Sequence, residues 1–135
     1  MYKVVNLVRG YNPVHHLKGA IVAGSYARWC AGFGDSYGDI DIFLLDTSLK
    51  PYIESLEIDN VHIITNHGYP YTDAKSLIDN FPISLQMAAL IGKDKVLVSE
   101  ELLEDAPLNQ FRLMTLNNSA LRSYYNYINK GYKCI

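Results

Sequence analysis

The sequence predicts one small domain of the α/β (α+β) class, spanning residues 1–135, with a mixed twisted sheet flanked by helices. Its length of 135 residues is that of a single ordinary domain, so whatever the protein does must rest on one core. Apolar residues make up 49% and charged residues 19%, enough of the first to fill that core and too few of the second for a disordered chain. Short apolar runs bounded by glycine and proline alternate with stretches of helical spacing, and no repeat, low-complexity tract or linker interrupts them.

The first firm element is Ala20-Ile21-Val22-Ala23, an apolar run closed by Gly24-Ser25, which reads as a buried strand entering a turn. Tyr26 to Ala31 suits a short helix, and a loop carrying Gly32, Gly34 and Gly38 follows it. Asp39-Ile40-Asp41-Ile42-Phe43-Leu44-Leu45 alternates carboxylate with apolar side chains and then becomes wholly apolar, as a strand entering a core does. Leu49 to Leu56 reads as a helix with Ser48 as its cap and Pro51 in its first turn, and Val61-His62-Ile63-Ile64-Thr65 as a β-branched third strand. Thr72 to Ile78 is expected to form another short helix. Ile83 to Ile91 and Lys95 to Val98 flank Gly92-Lys93-Asp94 as limbs of a hairpin, with the first limb also open to helix through Gln86-Met87-Ala88-Ala89. From Pro107 to Lys130 the pattern is helical. Leu121, Tyr124, Tyr125 and Ile128 recur there at three- and four-residue steps, the stripe a helix buries on a sheet, before Gly131 ends the run.

No run approaches the roughly 18 apolar residues of a membrane span. The start, Met1-Tyr2-Lys3-Val4-Val5-Asn6, lacks the apolar stretch and cleavage site of a signal peptide, so a cytoplasmic protein with no membrane partner is expected. Twelve Lys and Arg against fourteen Asp and Glu give no global pull toward nucleic acid or membrane. The segment 107–135 is nonetheless one-sided, with Arg112, Arg122, Lys130 and Lys133 and no acid. Its tyrosines, Tyr124, Tyr125, Tyr127 and Tyr132, interleave with those cations in a mix that can stack bases and meet phosphates, the alternative to burying the apolar stripe. Cys30 and Cys134 are too few and too far apart for a disulfide framework or zinc site. His15 and His16 have no partner at ligand spacing, and Glu100, Glu101, Glu104 and Asp105 read as a solvated face.

Alternation along a strand puts Asp39 and Asp41 on one face while Ile40 and Ile42 point to the other. Two carboxylates so close repel unless a cation lies between them, and their oxygens suit hard divalent magnesium; two solvated acids at a strand start are the plainer alternative. Upstream, Gly24-Ser25-Tyr26-Ala27-Arg28 is a strand-to-helix turn, where glycine lets the backbone approach a ligand while a serine hydroxyl and backbone amides face a phosphate.

Gly24-Ser25, the Ala27-Arg28 pair, a spacer over 26–38 and an apolar-flanked Asp-x-Asp together resemble the signature of the nucleotidyltransferase superfamily that includes DNA polymerase beta, over Ala20 to Leu45. The resemblance implies the nucleotidyltransferase fold. It implies a nucleoside triphosphate such as ATP held at Gly24 and Ser25, with Arg28 beside them as a binding residue, and two magnesium ions on Asp39 and Asp41. An acceptor hydroxyl would attack the α-phosphorus and expel pyrophosphate, and metals on paired carboxylates suit the charge that such a transfer develops. Asn80 to Ala89, with Gly92-Lys93 beyond, is faintly similar to the segment after the catalytic head in tRNA CCA-adding enzymes and bacterial poly(A) polymerases, which suggests a minimal head.

The chain departs from the pattern in three places, the first being a loop between Ser25 and Asp39 a few residues longer than usual. Gly38 stands where a serine often precedes the first aspartate, and the strand expected to supply a third carboxylate, often the base, reads Val61-His62-Ile63-Ile64. His62 could take the acceptor's proton or ligate a metal, with Asp59 close in sequence, or it could be an ordinary strand histidine. The expected function is therefore a metal-dependent nucleotidyltransferase with Asp39, Asp41 and His62 as catalytic residues, and an acceptor left open among RNA, protein and small molecule. Two alternatives remain: a catalytically degenerate domain of this fold that binds a nucleotide or a partner, and an antitoxin-like transferase that modifies a partner protein.

Overall fold

A run of apolar residues with no polar neighbour has to be covered on both faces, and Ala20–Ala23 is buried throughout, inside a six-stranded sheet. The computed structural model describes residues 1–65 and 71–135. In chain order the elements are β1 (Tyr2–Asn6), β2 (Ala20–Ala23), α1 (Ser25–Cys30), β3 (Ile40–Leu44), α2 (Lys50–Ser55), β4 (Val61–Ile64), α3 (Ala74–Ile78), β5 (Ala88–Ile91), β6 (Lys95–Ser99), α4 (Glu100–Asp105), β7 (Gln110–Phe111), α5 (Ala120–Asn129) and β8 (Lys133–Cys134). The sheet runs β1-β6-β5-β2-β3-β4. Its neighbours are antiparallel except β3 and β4, which are parallel and joined through α2, the kind of crossover a parallel pair requires. The result is the single mixed-sheet α+β domain that the sequence predicts. β7 and β8 form a separate parallel ladder.

Alternation sorts the core onto two faces. On one, Val22, Ile42, Leu90 and Val98 meet Tyr26 of α1, Ile53 of α2 and Leu102 of α4. On the other, Ile21, Phe43 and Ala89 pack against Leu77 and Ile78 of α3 and against Phe81. A third cluster of Ile83, Leu85, Phe111 and Tyr127 docks α5 onto β7 and the segment before β5.

Several boundaries move, each for a local reason. Tyr2–Asn6, read above only as lacking a signal peptide, is an edge strand antiparallel to β6. The helix expected from Leu49 begins at Lys50 after a 3₁₀ turn over Thr47–Leu49, and its entry is capped by Asp46 rather than Ser48, whose amide and hydroxyl both donate to the Asp46 carboxylate. α3 starts at Ala74 because Asp73 and Ser76 form a reciprocal capping box. The hairpin forms, with its first limb shortened to Ala88–Ile91 and Ser84–Gln86 in a 3₁₀ turn.

Two readings are overturned. The acids from Glu100 form α4, capped by the Ser99 hydroxyl, and Asp105 is not solvated but fully buried on Ser84, Gln110 and Arg112. The long helix from Pro107 shrinks to α5, because Pro107 sits in a 3₁₀ turn that Asn109 closes in the left-handed region at φ 52°, and β7 follows. The inward face of α5 is Ala120, Ser123 and Tyr127, while Leu121 is 66% and Tyr125 55% exposed. Helix orientation follows the buried Tyr127–Arg28 hydrogen bond and the Phe111 cluster, not the largest apolar stripe. Cys30 and Cys134 are free thiols. Among the described residues no helix is long and apolar enough to cross a membrane.

Candidate active site

Period-two alternation, which buries Ile40 and Ile42, necessarily turns Asp41 to the opposite face, with Asp39 just ahead of the strand. Pairing then decides its neighbours: Asp41 lies opposite Ala23 on β2 and opposite His62 on β4. The small Ala23 leaves room over the carboxylate, and His62 brings Nδ1 to 3.5 Å from Asp41 Oδ1. One donor atom from each of Asp39, Asp41 and His62 lies within 4.8 Å of the others. His62 thus stands beside the aspartate pair on their face, as strand alternation predicts for adjacent strands, and it is 63% exposed.

Gly24 links β2 to α1 with φ 93°, a left-handed conformation that favours glycine. A Cβ there would sit 3.5 Å from Asp41 Oδ2, so the missing side chain also keeps the backbone open beside the carboxylate. Ser25 Oγ accepts the Gly38 amide at 3.2 Å and ties this turn to the residue before Asp39. α1 has only six residues and no side-chain cap, so its dipole contributes little to the site.

Asp41 is 30% exposed, and burial pushes its carboxyl up to about 6, with His62 opposing and Asp39 adding to the rise. A divalent cation held there would relieve that cost. Paired carboxylates suit magnesium, and the imidazole widens the donor set toward manganese or zinc, so the residues present fit a divalent metal.

These groups line one side of a cleft of about 450 Å³. Phe43 and Phe81 lie within its lining, and Arg122, Asn126 and Lys130 of the α5 segment form another part of the wall. The sequence marks Arg122 and Lys130 as cations able to meet phosphates; it does not assign Asn126 or the placing of all three beside Asp39 and Asp41. The signal was the spacing of Arg122, Asn126 and Lys130 at four-residue steps, which puts them in one row on a helix.

Arg28 does not join the cleft. Its buried guanidinium donates to the carbonyls of Phe33, Ser36 and Leu85 and, at 2.8 Å, to the Tyr127 hydroxyl. It braces the loop leading to Asp39 and docks α5 instead of meeting a ligand there. Asp59 lines a different cleft beside Tyr11 and Tyr37, and His15 and His16 contact the Asn12 carbonyl and Tyr52. The structure therefore brings Gly24, Ser25, Asp39, Asp41 and His62 together and leaves Arg28 out. Compared with protein-family models, curated proteins and solved structures, the chain matches none.

Proposed function

We propose that this chain is a metal-dependent nucleotidyltransferase that moves a nucleoside monophosphate from a nucleoside triphosphate to an acceptor hydroxyl and releases pyrophosphate. The observation that carries this reading is the convergence of Asp39, Asp41 and His62 from two paired strands beside the Gly24–Ser25 turn. The resemblance of Ala20 to Leu45 to the nucleotidyltransferase superfamily points the same way. Asp39 and Asp41 would hold a divalent cation, which supplies charge neutralisation on the phosphate oxygens.

The chain's own groups do the remaining work. Gly24 leaves backbone space beside Asp41 for a phosphate. Ser25 accepts from the Gly38 amide and keeps its hydroxyl proton to donate to a phosphate oxygen. His62, with Nδ1 toward Asp41, presents Nε2 to take the proton of the attacking hydroxyl. Arg28 and Tyr127 hold the loop and α5 on either side.

A second reading, a degenerate nucleotide-binding domain of this fold, is favoured by one observation: the β4 residue beside Asp41 is His62 and not a carboxylate. Calorimetry with manganese and each nucleoside triphosphate, paired with pyrophosphate release in the presence of RNA, protein and small-molecule hydroxyls, separates them. The transferase binds triphosphate only with metal and releases pyrophosphate, and Asp41→Asn loses both. Binding without release for any acceptor supports the second reading, and equal binding in excess chelator defeats the metal-dependent transferase.

A further inference from the structure

A helix residue every fourth position stands in a row, rising roughly 6 Å per step. Arg122, Asn126 and Lys130 form such a row along α5 and its C-terminal cap, about 12 Å from end to end by that rise, and all three line the cleft that holds Asp39 and Asp41. Among the described residues neither Arg122 nor Lys130 enters an ion pair, whereas Arg112 and Lys75 do. The wall is anchored at Ser123 and Tyr127, which also line the cleft and take hydrogen bonds from Gln86 and Arg28.

Opposite charges that share a cleft without pairing define what can fill it. Asp39 and Asp41 offer ligand oxygens to a cation on one part of the cleft wall, and Arg122 and Lys130 offer positive charge to an anion on another. A ligand that brings both charges satisfies both sides. We propose that α5 is the phosphate-binding wall of this cleft, with Arg122, and Lys130 beyond it, receiving the anionic chain of a polyphosphate chelated to the cation at Asp39 and Asp41. The inference rests on the preceding reading only for the cation. Its consequence is that cation and polyphosphate bind cooperatively and that Arg122 carries part of that coupling.

The test uses manganese alone, inorganic tripolyphosphate alone and the preformed manganese–tripolyphosphate complex, titrated by calorimetry into the wild type, Arg122→Gln, Arg122→Lys and Lys133→Gln. Lys133 lies on β8 outside the cleft and controls for net charge. Arg122→Gln should weaken the complex by about tenfold or more, the scale of one charge-assisted hydrogen bond. It should leave manganese alone bound equally or more tightly, Arg122→Lys should recover part of the loss, and Lys133→Gln should change the complex by less than about twofold, as a screened distant charge does. Equal losses in Arg122→Gln and Lys133→Gln overturn the proposal. So does a wild type that binds tripolyphosphate neither with nor without manganese, or a parallel loss of manganese affinity that Arg122→Lys fails to restore. If manganese alone does not bind while tripolyphosphate binds in an Arg122-dependent way, the anion wall stands and the metal reading falls.

Discussion

Replacing Asp105 with Asn removes one charge and keeps the side-chain volume, so it isolates what the carboxylate does. Asp105 is excluded from solvent and accepts from Ser84 Oγ at 2.6 Å, Gln110 Nε2 at 3.0 Å, Arg112 Nε at 3.0 Å and Arg112 Nη2 at 2.9 Å. Four donors fill the lone-pair sites of a carboxylate, whereas an amide turns an NH₂ group toward at least one of them. Breaking a buried pair costs about 3–5 kcal/mol. Arg112 is only half-buried and keeps Glu104 at 2.8 Å, which places the expected loss at the lower end, about 3 kcal/mol. With a urea m-value of about 1.5 kcal/mol per molar, the unfolding midpoint should fall by about 2 M.

The effect carries a pH signature. Burial pushes the Asp105 carboxyl up, but hydrogen bonds from Arg112, Ser84 and Gln110 outweigh it and hold the group below its ordinary value. The unfolded chain therefore takes up this proton first, at about pH 4. The contribution is complete above that pH and disappears as pH falls through the native value. The gap between wild type and Asp105→Asn should close on acidification, as read by urea melts at pH 7 and then at successively lower pH. A loss below about 1 kcal/mol at pH 7, or a gap that does not narrow in acid, refutes the network.

Substitutions at three other positions test the site and its frame. Tyr127→Phe strips a buried guanidinium hydrogen bond of 2.8 Å and should cost about 1–3 kcal/mol in chemical denaturation; a neutral result would remove Arg28 from the docking of α5. Gly24→Val puts a branched residue at φ 93° and ψ −148°, beside a region that essentially only glycine adopts, a strain of about 1–3 kcal/mol, with its Cβ 3.5 Å from Asp41 Oδ2. Manganese affinity should fall as well, and a folded variant that binds manganese normally argues against close approach at that turn. His62→Gln should retain metal-dependent triphosphate binding while turnover drops by roughly 10²–10⁴, with His62→Glu keeping activity; unchanged turnover in His62→Gln excludes it as the base.

Features that depend on a few consecutive residues could be read directly from the chain. The Asp39–Asp41 pair follows from alternation with Ile40 and Ile42, and the Gly24 turn from a glycine ending an apolar run, since both are backbone geometry over a handful of positions. The position of His62 was predictable only on the condition that β3 and β4 are neighbours. That condition is a pairing between distant segments, decided by how the whole sheet closes. Local reasoning failed where polar burial outweighed apolar count. Arg28, adjacent in sequence to the turn, reads as a ligand group, yet it extends beneath the site because Phe33, Ser36, Leu85 and Tyr127 converge there from separated parts of the chain. Periodicity likewise favours burying Leu121, Tyr125 and Ile128, but α5 packs on β7 and not on the open sheet, so its rotation follows Ser123 and Tyr127. That rotation is what carries Arg122, Asn126 and Lys130 into the cleft. No window of neighbouring residues contains this information, because the partners that fix the helix lie tens of positions away and act only once the core has formed.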